Sequence, residues 1–432
     1  MAVQRYWTPE RRATAIPRDF VLDGRGLTYI EQLDGTWRPH GHSTPASASM
    51  GTPMAKPGGS TDTTPPSVTN QSPAPDAVVG SSQTFSATVT DASGVKSVTF
   101  RITRSDGVSQ TFVGSGSGTT WSASINGFTN GSWTWSVIAT DTAARGGNTT
   151  TTAPRSFSVD TGGGGGGGGG DVVVNQRWTT GGGVLTAAGR IFFEMPANKR
   201  QSRWVAYVCS GTVATDGTSG RSIVITAAHC VYDDANKAFA RNVMFIPNQD
   251  GTTGSGSDRD CSNDPLGCWT ASFGVVDVNW SSRTWPNNIP WDYAYYVVDD
   301  TSGGNGTLDS AAGSLTVDFT TPDVGTYTHA LGYSYSDDPF FMYCAENLDI
   351  VDANNWWLGS CGLSGGASGG PWIQPLNTST GVGPIISVNS WGYSGSPGTA
   401  GPVLSGTSAS CLFTRAKSAS ITTANGITVN NC

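Results

Sequence analysis

Charge is scarce in this chain of 432 residues: Asp, Glu, Lys and Arg make up 13% of it, about half the roughly 25% of an ordinary soluble domain. What charge there is leans acidic, to a net −8, so the basic footprint that a nucleic-acid partner requires is missing. No apolar run approaches the 18 or so residues of a membrane-spanning helix. Histidine is rarer still, with four residues, and no two cysteines stand in a C-x-x-C pair. A structural zinc site is therefore not expected, nor any other metal. Glycine, in contrast, is abundant at 58 residues, nearly twice its usual share of roughly 7%. Low charge with much Gly, Ser and Thr favours short strands and turns over helices. A helical bundle, a nucleic-acid binder and a membrane protein are excluded as leading readings.

The eight cysteines are Cys209, Cys230, Cys261, Cys268, Cys344, Cys361, Cys411 and Cys432. An even set confined to one segment reads as disulfides formed in an oxidising space, so the expected location is extracellular. The opening MAVQRYWTPERRATAIPRDF carries no apolar core of the kind found in an export signal. The cysteines are given more weight than that leader.

Composition divides the chain into five parts. Residues 1–42 mix both charge signs around Trp7 and Trp37 and read as an N-terminal segment of propeptide type. Residues 43–66, rich in Ser, Thr, Pro and Gly, read as a linker. Over residues 67–161 the hydrophobic period becomes two. Phe85, Ala87 and Val89 alternate with polar neighbours; so do Val98, Phe100 and Ile102, then Trp133, Trp135, Val137 and Ala139, then Phe157 and Val159. With Asp106-Gly107 and Asn130-Gly131 as turn signals, this predicts half-buried antiparallel strands in a small β-sandwich. The stretches TPPSVTNQSPAPDAVV and VIATDTAARGGN resemble the immunoglobulin-like modules found beside bacterial exoenzymes. Such a module is expected to bind a surface or polymer. Gly162–Gly170 are nine consecutive glycines, a flexible linker, because glycine loses the most backbone entropy on ordering. Residues 171–432 hold every cysteine and are long enough for one large all-β domain.

Three segments of that last part carry chemistry. In CGLSGGASGGPW, Ser368 sits among Gly365, Gly366, Gly369 and Gly370. A nucleophilic serine needs a backbone that crowds the reacting carbonyl and turns N–H groups toward the developing oxyanion, and glycines permit both. In RSIVITAAHC a β-run ends at His229, beside a cysteine that can pin it, which suits a rigid general base. In WDYAYYVV, Asp292 opens a strand of aromatic and β-branched residues, and a buried carboxylate there would orient and charge-balance His229. Asp277, Asp299 and Asp300 compete for that role but lack the same x-Ala-apolar sequel.

TAAHC, D-x-A before an apolar strand, and G-x-S-G-G-P, in the order His, Asp, Ser, resemble the chymotrypsin/trypsin-like serine proteases. Asn389-Ser390-Trp391-Gly392 resembles the segment with which that family pairs the substrate backbone as an added strand. The segments around Tyr207–Val213 and Ile191–Phe193 look closest to the secreted microbial branch that includes the glutamyl endopeptidases. The resemblance implies a double six-stranded β-barrel behind the β-sandwich module, a Ser-His-Asp triad of Ser368, His229 and Asp292, and an oxyanion hole from the N–H groups of Gly366 and Ser368. It implies a Cys209–Cys230 bridge, no cofactor, and protein or peptide substrates. For the other cysteines, neighbours in sequence are favoured: Cys261 with Cys268, Cys344 with Cys361, Cys411 with Cys432. The chain is read as a monomer.

Three departures stand out. Ala367 replaces the aspartate that receives the new N-terminal ammonium in trypsin-type zymogens, so latency is expected to come from the N-terminal segment blocking the cleft. Asn389 stands where glutamyl endopeptidases carry a substrate-binding histidine. Gly362 stands where a trypsin carries its Lys/Arg-selecting aspartate. With Gly362, Ser390, Trp391 and Gly392 as substrate-binding residues, the pocket leans toward uncharged, apolar side chains. The expected activity is that of a secreted serine endopeptidase made as a zymogen. The rival readings are an esterase-type hydrolase on the same residues and an inactive protease-like binding protein.

Overall fold

The computed structural model describes the chain except residues 1, 24, 33–35, 44–63, 76, 81, 105–108, 118, 127, 129–130, 144–146, 160–170, 255–260, 300–305, 395–396 and 421–423. Most of the 43–66 linker, the glycine run, Asp106, Gly107, Asn130 and Asp300 lie outside the described residues. Two compact units are formed. One is residues 47–166; the other combines residues 1–46 with 167–432.

The smaller unit is a sandwich of two sheets. One sheet orders the strands Ser115–Ser117, Thr120–Asn126, Ser82–Thr90 and Ser67–Ser72. The other runs Ala77–Val79, Arg155–Val159, Gly131–Asp141, Val95–Arg104 and Ser109–Val113. The alternation read from sequence is what fills the space between them: Phe85, Ala87, Val89, Val98, Phe100, Ile102, Trp135, Val137 and Phe157 are all buried in one cluster. Trp133 stays half-buried at its edge.

In the larger unit, six strands close into a barrel. Trp204–Ala214, Ala188–Pro196, Arg241–Pro247, Trp269–Asp277, Ala294–Asp299 and Arg221–Thr226 are each bonded to the next, and the last returns to the first. Closure leaves no edge within the ring. Arg221–Thr226 is buried on both faces beyond its first residue, which explains its near-continuous apolar reading.

The second half consists of two sheets. One holds Val173–Arg177, Met342–Asn347, Tyr327–Gly332, Pro371–Ile373 and Ile385–Val388. The other holds Asp349–Asp352, Asn355–Leu358, Thr399–Pro402 and Trp391–Tyr393, and continues into Phe20–Leu22, Thr28–Glu31 and Trp37–Pro39 of the N-terminal segment. The fold is nearly all-β. The longest helix among the described residues is Ala409–Ser418, whose Ala409, Leu412, Phe413 and Ala416 are buried. Their i, i+3, i+4, i+7 spacing makes one apolar stripe, and tertiary packing of that stripe outweighs the strand-forming composition around it. The cysteines pair as Cys209–Cys230, Cys261–Cys268, Cys344–Cys361 and Cys411–Cys432. No helix among the described residues is long and apolar enough to cross a membrane.

Candidate active site

His229 sits in the 3-10 turn Ala228–Cys230, directly after the strand Arg221–Thr226. That strand pairs antiparallel with Ala294–Asp299, with Thr226 opposite Ala294. The register therefore sets the residues just after Thr226 beside those just before Ala294, and it brings His229 to Asp292. Asp292 does not open the strand, as the sequence suggested. It ends the 3-10 turn Ile289–Trp291 two residues earlier, because Pro290 favours a helical first turn there.

Both side chains are fully buried. The His229 N–H donates to Asp292 Oδ1 at 2.9 Å, and its Nδ1 lies 2.8 Å from Oδ2. Ser390 Oγ also donates to Oδ2. A carboxylate gripping both the backbone and the ring of one histidine fixes its rotamer and directs Nε2 away from the pair. Cys230, bridged to Cys209, anchors the turn from behind.

Ser368 lies in the glycine-rich loop before Pro371–Ile373, and its carbonyl accepts the Ser210 N–H at 2.7 Å. Gly366 has φ +95° and Gly369 φ +81°. A Cβ on Gly369 would fall 2.0 Å from Thr226 Oγ1, and one on Gly366 would meet Arg190 and the Tyr333 carbonyl at 2.8 and 2.9 Å. Only glycine allows this left-handed backbone at that proximity. Ser210, which the sequence reading passed over, holds the loop: its Oγ donates to the Gly366 carbonyl and accepts the Tyr333 N–H, both at 2.9 Å. Ala367 is buried. Behind Gly366 the buried Arg190 pairs with Asp338 at 2.9 Å, and burial lowers its pKa to about 10.

The N-terminal segment lies on these residues. Asp19 accepts from Ser368 Oγ at 2.7 Å and from the Gly366 N–H at 2.5 Å. Burial, the largest influence, pushes its carboxyl above the usual range, against the pull of these two donors. The Phe20 ring packs 4.8 Å from the His229 ring. Arg18, wholly buried, donates to the His229 carbonyl at 2.7 Å and to Asp233 Oδ2 at 2.9 Å. His40 pairs with the buried Asp234 at 2.6 Å. Burial raises the Asp234 carboxyl, but His40, the Trp285 N–H and Asn288 outweigh it and bring it down to about 2. His229 Nε2, buried, makes no hydrogen bond among the described residues.

Asn389 is buried and engaged: it donates to the carbonyls of Leu331 and Ala367 and accepts from Trp372. Trp391 and Gly392 form the strand edge that receives Phe20 and Val21. Gly362 gives its N–H to the Val174 carbonyl at 2.7 Å and packs against Val174. A cavity of about 300 Å³ opens beside Asp19, Val21, Tyr335, Ser364 and Gly365. Among the described residues two clusters have the proximity of metal ligands, Cys209 with His229 and Cys230, and Cys261 with Asp264 and Cys268. In each, both sulfurs are consumed in a disulfide and offer no thiolate, the form that binds metal.

A family model for a bacterial Ig domain matches residues 66–169. No curated protein matches the chain. Among solved structures, the chain is similar to the thermostable serine protease AL20 from an extremophilic microorganism, at 26% identity and TM-score 0.43, over 55% of this chain and 99% of that one. It is also similar to CopC from Methylosinus trichosporium OB3b, at 16% identity and TM-score 0.18, over 22% of this chain and 91% of that one. Fibronectin(III)-like modules of Clostridium thermocellum CbhA match at 22% identity and TM-score 0.17, over 22% of this chain and 97% of theirs.

Proposed function

We propose that the chain is a secreted serine endopeptidase of chymotrypsin/trypsin-like type, made as a precursor whose N-terminal residues must leave the cleft. The observation that carries this reading is the fully buried His229–Asp292 pair, locked at ring and backbone, in one site with a serine on a left-handed glycine loop. In the working cleft Ser368 Oγ attacks the scissile carbonyl while His229 Nε2 takes its proton. The ester of Ser368 forms, and His229 returns the proton to the departing amine. Asp292 steadies the imidazolium, and the N–H groups of Gly366 and Ser368 receive the oxyanion. Water then attacks the ester by the same route in reverse, releasing the acid and restoring Ser368.

A peptide substrate is favoured over a simple ester because the edge Trp391–Tyr393 accepts an added strand, as its pairing with Phe20–Leu22 illustrates. Four disulfides agree with an extracellular setting. The test is fluorophosphonate labelling and casein digestion after limited proteolysis has stripped residues 1–46. Labelling and digestion that vanish in Ser368→Ala are expected. A stripped protein that takes no label would mean an inactive, binding-only relative. One that labels and cleaves esters but no polypeptide would mean an esterase.

A further inference from the structure

A substrate would offer its backbone carbonyl to Gly366 and Ser368. The N-terminal segment offers a side chain. It crosses the site in two pieces of strand, each parallel to its host: Ile16 and Pro17 lie opposite Tyr207 and Val208, and Phe20 to Leu22 lie opposite Trp391 to Tyr393. Between them, Asp19 turns its carboxylate onto the serine and the oxyanion donor together, one oxygen to each.

That contact disarms the site twice over. The Ser368 hydroxyl proton is directed to Asp19 Oδ1, while His229 Nε2, its acceptor in catalysis, is left without a partner among the described residues. The Gly366 N–H, which would stabilise a developing negative charge, is already engaged by Asp19 Oδ2. Arg190, buried behind the loop, adds to the attraction for a negative group at this spot. Nor can the contact consume itself. A side-chain carboxyl group has no amine to expel, so Ser368 has no peptide bond to exchange there. Neighbouring side chains clamp the triplet: Arg18 in a socket formed by Asp233, the His229 carbonyl and the Tyr207 ring at 4.9 Å, and Phe20 between the His229 and His40 rings at 4.8 and 4.5 Å.

We propose that residues 16–22 are a built-in inhibitor whose Asp19 carboxylate occupies the oxyanion site. The cleft therefore also binds, without cleaving, free peptides that present this Arg-Asp-Phe triplet as an extended strand. The proposal rests on the serine-hydrolase reading of Ser368 for its activity readout, and a second readout is independent of it.

The experiment compares full-length protein with full-length Asp19→Ala and Asp19→Asn. Rates of fluorophosphonate labelling are measured together with amide hydrogen exchange over residues 16–22. Slow labelling of the parent is expected, at least tenfold faster labelling of Asp19→Ala, an intermediate rate for Asp19→Asn, and faster exchange in both variants. The synthetic peptide spanning residues 16–22, added to stripped enzyme, should inhibit competitively and be recovered intact, while its Asp19→Ala version inhibits at least tenfold more weakly. Equal labelling and equal exchange in parent and Asp19→Ala would overturn the proposal, as would cleavage of the peptide at Asp19. If no form labels, even when stripped, yet exchange over 16–22 still rises in Asp19→Ala, the binding mode stands and the hydrolase reading falls.

Discussion

Asp292 illustrates how much one carboxylate can be asked to do. It accepts from the His229 backbone, the His229 ring and Ser390 at once, so its replacement by Asn leaves the shape and reverses the hydrogen-bonding logic at one oxygen. Asp292→Asn is expected to fold with an unchanged melting temperature to within a few degrees and to lower kcat by about 10⁴, the penalty of a wrong histidine tautomer. Titrating active sites and measuring kcat on stripped protein checks this. A second residue-scale prediction concerns Glu346 and His329, on the paired strands Met342–Asn347 and Tyr327–Gly332. Burial raises the Glu346 carboxyl to about 7, against the pull of Ser360. Burial lowers His329 to about 4. A carboxyl raised on folding stabilises fully below its ordinary value near 4.5 and loses that contribution as pH rises through about 7. A histidine lowered on folding stabilises fully above 6.5 and loses that contribution as pH falls through about 4. The two slopes oppose each other between those ordinary values, and only the Glu346 slope remains just above 6.5. Glu346→Gln should therefore raise the melting temperature at pH 8 and flatten its decline from pH 6.5 to 8; an unchanged decline would assign it to other groups.

At the scale of elements, the Ser368 loop depends on backbone that only glycine adopts. Gly369→Ala would place a methyl 2.0 Å from Thr226 Oγ1 and 2.4 Å from the Ser210 carbonyl, at φ +81°. Overpacking of this kind costs about 1–3 kcal/mol or more, and the displaced loop should lose activity by more than it loses stability. Paired melting and kcat measurements check it; equal kcat in the variant would show that the loop need not sit against Thr226. The strands themselves were legible. Period-two alternation from Phe85 to Val159 became the sandwich core, and the apolar run Ile223–Thr226 became a strand buried on both faces. The position of His229 beside Asp292 was legible too, because local motifs carry it. What sequence could not show was long-range pairing by short pieces. Ile16–Pro17 and Phe20–Leu22 are two and three residues long, too brief for any period, and they gain their strand geometry only from Tyr207–Val208 and Trp391–Tyr393 as hosts. For the same reason Arg18, Asp19, Asp233 and Ser210 gave no signal beyond being polar. Arg18 with Asp19 and Phe20, just after Pro17, was the cue available.

At the scale of the molecule, the segment that fills the cleft and the domain that owns the cleft belong to one compact unit, although residues 47–166 separate them in sequence. Cutting the chain within residues 162–170 therefore severs the covalent link without removing any contact made by residues 1–46. The two pieces are expected to co-elute on size exclusion and to stay poorly reactive toward a fluorophosphonate. Reactivity should rise on dilution, as the tethered encounter becomes bimolecular and its effective concentration, of millimolar order, is lost. Immediate full labelling after the cut would show that residues 1–46 hold on only through the tether.

The Arg18 socket outlives its occupant. When the segment leaves, Asp233 Oδ2 and the His229 carbonyl, now both answered by one guanidinium, face an open cleft on the Tyr207–Val208 side. Leaving a buried charge of this kind without its partner costs about 3–5 kcal/mol, unless water or a new cation takes the place. An incoming polypeptide with lysine or arginine at the matching position supplies that cation, and one with aspartate or glutamate there meets repulsion. Sequenced cleavage products of the stripped enzyme should accordingly show a basic residue enriched at one fixed position within two residues of the cut. Asp233→Asn should erase that bias while leaving the rest of the cleavage pattern in place.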